Sequence, residues 1–153
     1  MEIYHGSSVI VKKPEIRIEK YNKNFYHGFY CTLLEKQAIR WATRFGDGFV
    51  NKYDYVVDNS LNILSFDKMT EEWLDFVVDC RSGKAHDYDI IEDPVADDII
   101  YTYVQDFLDG KISREAFWAL AKFKYPTHQI CFNTEKSLKT ISFKGVERVH
   151  DEK

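Results

Sequence analysis

The side chains able to do chemistry in this 153-residue chain are scattered rather than gathered. No two of the five histidines stand at i, i+4, the spacing that sets two imidazoles on one helix face, and Cys31, Cys80 and Cys131 form no CxxC pair. Metal ligation therefore has no local support. A thiol nucleophile would pair Cys31 or Cys131 with a distant histidine, and no neighbouring residue argues for that pairing. The carboxylates from Asp87 to Asp98 lack the Gly and closing Glu of a calcium loop, and read as a strand rim and a helix N-cap. No strand passes through G-x-G-x-x-G into a helix, and the Walker pattern is missing. Two compact segments remain: Tyr4-His5-Gly6-Ser7, and His27-Gly28-Phe29-Tyr30-Cys31-Thr32 with Trp41 after it. By periodicity alone, Trp41 belongs to a helical core stripe and His5 to a strand end.

The composition limits what these segments can serve. Apolar residues make up 44 % and aromatics 16 %, while Gly (7) and Pro (3) are scarce, so the chain reads as one domain with a filled core. The net charge of −4, with no run of basic residues, argues against a duplex nucleic-acid binder, which needs a phosphate-neutralising patch. No apolar run approaches the ~20 residues that span a bilayer. The segment Met1 to Gly6 lacks the charged and apolar regions of a secretory signal, and the odd cysteine count suits free thiols in a reducing compartment. The expected location is cytoplasmic, with no membrane partner.

The elements follow from periodicity. Residues 2–6 read as a strand, and Thr32-Leu33-Leu34-Glu35 as a capping box before a helix with Ala38, Trp41, Ala42 and Phe45 on one face. That helix stops at Gly46-Asp47-Gly48, and Phe49 to Val57 alternates as a strand. Leu61 to Phe66 is a second strand, Thr70 caps a helix running to Gly83, and Tyr88 to Ile91 is a short strand before Pro94. Asp97 and Ser113 cap two further helices, the first with Ile100, Tyr103, Val104, Phe107 and Leu108 inward, the second with Ala116, Phe117, Leu120 and Ala121. Trp73 and Trp118 read as core. His128 to Asn133, Leu138 to Phe143 and Val146 to His150 form a terminal strand cluster. Strands first, helices in the middle and strands last predict an α+β fold.

The two segments, in their order and spacing, resemble the ADP-ribosyltransferase superfamily. Within it, residues 3 to 143 resemble the bacterial DUF3990 family, through Pro14, Gly28-Phe29-Tyr30-x-Thr32, Gln37-Ala38-x-x-Trp41-Ala42, Arg81-Ser82-Gly83, Pro94-Val95-Ala96-Asp97 and Pro126-Thr127-His128-Gln129-Ile130. The resemblance implies a single domain over residues 1–153, built as a split pair of small antiparallel sheets forming a cleft, with an inserted helical segment. It implies a cytosolic mono-ADP-ribosyltransferase that takes NAD+ as co-substrate, acts as a toxin or effector on an unidentified acceptor, and is accompanied by a neutralising partner protein. By the same resemblance, His5 donates a hydrogen bond to a ribose hydroxyl and Gly6 offers its backbone to the nicotinamide carboxamide. Ser7 supports either contact. Gly28 belongs to the Gly-x-Tyr motif, and Tyr30 and Trp41 sandwich the nicotinamide, whose cationic ring suits aromatic faces.

The third superfamily position departs from the common pattern. Many members carry Glu at the start of a late strand, and the matching residue here is Gln129. Its carbonyl oxygen can accept from a ribose hydroxyl but brings no negative charge to an oxocarbenium ion. Strand alternation sets Gln129 and Cys131 on one face, with His128, Ile130 and Phe132 on the other. Three alternatives stand open: Gln129 suffices, another carboxylate such as Asp97 or Asp98 supplies the charge, or the domain is a non-catalytic nucleotide-binding or protein-interaction module. Two further departures are Asn24-Phe25-Tyr26, where the family has Asp-Phe-Gly, and Asp93, where a Gly commonly precedes Pro94.

Overall fold

Alternating side chains at the start of the chain form strand β1 (Glu2–Ser7), which pairs antiparallel with β3 (Gly48–Tyr55), which pairs in turn with β7 (Ile141–Val149). A second sheet has the order β2 (Phe29–Cys31), β6 (Gln129–Phe132), β5 (Ile90–Asp93), β4 (Ile63–Ser65). The computed structural model describes residues 1–16, 27–123 and 125–151. Asn24-Phe25-Tyr26 lies outside these residues. Among them are α1 (Glu35–Ala42), α2 (Glu71–Arg81), α3 (Asp98–Leu108), α4 (Arg114–Leu120) and α5 (Glu135–Leu138), so the fold is α+β with two small sheets.

Two apolar layers hold the second sheet. Ile3, Tyr53, Tyr55 and Ile141 from the first sheet pack on Phe29, Cys31, Ile90, Ile130 and Phe132 from the second. The opposite face of the second sheet, carrying Ile91 and Cys131, is covered by Trp73, Leu74 and Val77 of α2, Ile100 and Val104 of α3, and Phe117 of α4. The expected alternation in β6 holds: Cys131 joins the helical layer, while Ile130 and Phe132 join the layer between the sheets.

Several boundaries match the sequence signals. The hydroxyl of Thr70 accepts from Trp73 N–H, Asp97 accepts from the amides of Ile99 and Ile100, and Ser113 accepts from Ala116 N–H. Gly83 and Gly110 take positive φ just beyond α2 and α3.

Other expectations need correction. The second sheet is mixed rather than antiparallel, because β4 runs parallel to β5. Thr32 builds no capping box; its hydroxyl accepts from Leu34 N–H at 3.0 Å, and α1 begins at Glu35 after an uncapped Leu34. Phe45 is 94 % exposed because α1 ends at Ala42, and Leu120 also faces outward. Residues 29–31 form a strand that the sequence pattern did not announce, since three residues are too few to show alternation. Where two C-terminal strands were expected there is a short helix, α5, capped by Thr134, and then the continuous β7. The register shifts between Lys52 and Tyr53, so the Lys144-Gly145 region bulges instead of turning.

Candidate functional site

Among the described residues, one isolated bridge joins the two sheets. Tyr4 and Thr32 exchange both backbone hydrogen bonds, at 2.9 and 2.8 Å, as an isolated antiparallel pair. Continuing that register would set Gly6 opposite Tyr30, but the ladder stops at the bridge and the strands part. Backbone groups two apart along a strand point to the same edge, so the Gly6 N–H and C=O point, like those of Tyr4, toward β2. Across the gap the His5 ring donates its Nδ1–H to the Tyr30 carbonyl at 2.6 Å. A carbonyl only accepts, so Nδ1 carries a proton. The ring also lies 4.2 Å from the Phe29 ring, centroid to centroid.

Gly6 is where α1 enters. A Cβ there would stand 2.0 Å from the Ala38 carbonyl oxygen and 2.9 Å from the Trp41 Cβ, so only glycine admits the helix. This contact brings half-buried Trp41 beside Gly6. Ser7 ends β1, and its hydroxyl accepts from Val9 N–H at 3.2 Å, which turns the chain away. Gly28 has a similar reason: a Cβ would meet the Cys131 sulfur at 2.4 Å, blocking the closure of β2 on β6.

Tyr30 pairs with Cys131 and packs into the helical layer, the face that also receives Gln129 two residues earlier on β6. Gln129 is 3 % exposed, and its Nε2 has no hydrogen-bonded partner. Its register partner on β5 is Asp93, whose Oδ2 accepts from the Trp73 indole at 2.7 Å. Burial is the main cause that raises the Asp93 pKa to about 7, opposed by the Trp73 indole, the Val95 amide and the Gln129 side chain. The amide of Gln129 is thus near enough to favour the charged form, yet Asp93 Oδ1 and Gln129 Nε2 close no full bond.

The segment before Gln129 is stapled in place. The Thr127 hydroxyl accepts from Ala96 N–H at 3.0 Å and donates to the Pro94 carbonyl at 2.7 Å. Tyr101 donates to the Val95 carbonyl. The Arg40 guanidinium lies 4.3 Å from the centre of the Tyr125 ring, and Arg44 pairs with Asp98 at 3.0 Å. These contacts bring α1, the start of α3 and the approach to Gln129 together.

The His5 ring and the Tyr30 carbonyl therefore meet beside the bridge and Trp41 stands against Gly6, while the Tyr30 side chain packs into the helical layer; Gly28 and Gln129 flank Tyr30 along β2 and β6, and Ser7 closes the strand. Asp97 is committed to capping α3, and Asp98 is exposed beside Arg44. The carboxylate beside Gln129 is instead Asp93. Arg81, at the end of α2, donates to the Tyr101 carbonyl at 2.9 Å. Burial lowers its pKa, and the neighbouring Tyr101, Tyr30 and Asp109 oppose that shift. It is a cation beside Tyr30 to which the sequence assigned no role, although Arg81-Ser82-Gly83 was already among the matching blocks. Asp93 and Trp73 were missed as a pair because no local spacing links positions twenty residues apart.

Burial makes two of the thiols poor nucleophiles. All three cysteines are buried and none is in a disulfide; burial pushes Cys31 well above the usual thiol range, and Cys80 is pushed up to about 12. His128 faces away from the site, donating Nε2–H to Glu92 at 2.7 Å and accepting from Leu33 N–H at Nδ1. Among the described residues no three His, Cys, Asp or Glu side chains gather as a metal site, and no helix is long and apolar enough to cross a membrane.

No curated protein and no solved structure matches the chain. One family model does, that of the protein of unknown function DUF3990, over residues 1–143. A match over that much of the sequence places the chain in the DUF3990 family.

Proposed function

We propose that the chain transfers ADP-ribose from NAD+ to an acceptor, with the nicotinamide seated where β1 and β2 part. The observation that carries this reading is the 2.6 Å bond from His5 to the Tyr30 carbonyl, made beside the glycine that lets Trp41 approach. In this reading the Tyr30 and Trp41 rings and the Gly6 backbone groups border one gap, a set that suits a flat cationic ring bearing a carboxamide.

The residues have distinct tasks in this reading. With Nδ1–H held by the Tyr30 carbonyl, the His5 ring is oriented to hydrogen-bond a ribose hydroxyl. Gly6 holds the carboxamide through its N–H and C=O, while Tyr30 and Trp41 confine the ring. Arg81 stands beside Tyr30 as the cation for the diphosphate. Gln129 accepts from the second ribose hydroxyl. As the nicotinamide–ribose bond breaks, the bond's electron pair leaves with nicotinamide, and the acceptor's nucleophile attacks the anomeric carbon of the oxocarbenium-like centre. The aromatic faces and carbonyl oxygens stabilise the developing charge without a carboxylate at position 129.

The test is nicotinamide release from NAD+ by the wild type and by Gln129→Glu. A faster release by the variant supports residue 129 beside the reacting ribose; an unchanged rate removes it from the site. A second reading, an NAD+-binding module without turnover, is favoured by the neutral amide at residue 129. Calorimetric binding of NAD+ with no nicotinamide released over hours would select it.

A further inference from the structure

Asp93 is 1 % exposed; its Oδ2 accepts from the Trp73 indole, while its Oδ1 has no hydrogen-bonded partner. Opposite it on β6 is the equally buried Gln129, whose Nε2 also has none. An orphaned acceptor and an orphaned donor facing each other across one register pair are a hydrogen bond waiting on the orientation of one amide.

We propose that Asp93 is the positioning residue for Gln129: its carboxylate draws the Gln129 amide nitrogen to Oδ1 and thereby turns the Gln129 carbonyl oxygen toward the ligand. The proposal rests on the reading above that Gln129 accepts from a ribose hydroxyl. When Asp93 takes a proton from solvent, its O–H becomes the donor, the Gln129 carbonyl turns back to accept it, and the ligand meets an NH2 group instead. The groups facing Asp93 are the Trp73 indole from α2, the Gln129 amide from β6 and the Val95 amide from the turn; the charged neighbour is Glu92, on the same strand, which raises the pKa. Among the described residues no cation contributes to holding this carboxylate ionised, so its proton is exchangeable near neutral pH.

The experiment follows the Gln129 side-chain amide and the Trp73 indole by nitrogen-15 NMR from about pH 5.5 to 8.5, in the wild type and in Asp93→Asn, together with NAD+ calorimetry at about pH 6 and 8. The expected result is that both signals move with one midpoint in the wild type and neither moves in Asp93→Asn. NAD+ affinity rises about tenfold from the lower to the higher pH in the wild type. Asp93→Asn, whose own NH2 donates to the Gln129 carbonyl, stays at the weak, low-pH value. A Trp73 signal that titrates while Gln129 does not overturns the proposal, as does an NAD+ affinity that keeps its pH dependence in Asp93→Asn. Coupled titration with no NAD+ binding at either pH supports the Asp93–Gln129 link and sinks the NAD+ reading alone.

Discussion

The Nδ1 of His5 and the carbonyl oxygen of Tyr30 lie 2.6 Å apart, next to the backbone bridge that joins the two sheets. This bond fixes the tautomer of the ring and the distance between the strands together. His5→Ala removes it along with the contact to Phe29, and should destabilise the fold by about 1–2 kcal/mol in urea denaturation. His5→Asn, which keeps a short donor, should lose less.

Gly6→Ala places a methyl group 2.0 Å from the Ala38 carbonyl oxygen, and backbone cannot yield as a side-chain tip can. The expected cost is about 2–3 kcal/mol, read as a fall in thermal midpoint. Gly145→Ala is the control, because a Cβ there meets nothing within 4 Å; it should leave the midpoint almost unchanged.

Asp93 makes stability depend on pH. Its folded pKa, about 7, lies above the ordinary value of 3.8, so the folded state holds the proton more tightly than the unfolded chain. The resulting stabilisation is fully present below the unfolded value and is lost as pH rises through the folded one. Between about pH 5 and 8 the wild type should lose up to about 3 kcal/mol, at about 1.4 kcal/mol per pKa unit. Asp93→Asn should be flat over the same range in chemical denaturation.

The cysteines give an independent check on burial. With all three buried and the Cys31 and Cys80 thiols raised by desolvation, a thiol reagent at pH 7 should react slowly with native protein and rapidly with all three in denaturant. Fast labelling of the native protein would contradict the packing of Cys31 between the sheets.

The parts of the fold legible in the sequence were those written in local chemistry. Thr70, Asp97 and Ser113 cap the helices they were expected to cap, and the alternation of Gln129, Ile130 and Cys131 assigned their faces. The short β2 was not legible, because its three residues are held by pairing with β6 rather than by any pattern of their own. Thr32 misled, since a hydroxyl followed three places later by Glu looks like a capping box until the hydroxyl bonds Leu34 instead. Of the candidate site residues, His5 lies against the Tyr30 carbonyl beside the bridge, and Trp41 stands against Gly6. The partnership of Asp93 with Trp73 and Gln129 was hidden, because it exists only once α2 and two strands are in place.

The most direct measurement of the central claim is transfer of labelled ADP-ribose from NAD+ into an extract of cells, by the wild type and by the folded His5→Ala/Trp41→Ala double variant. The account predicts label in an acceptor with the wild type and none with the double variant. Equal labelling by both would contradict the site, and no labelling by the wild type would contradict the transfer itself.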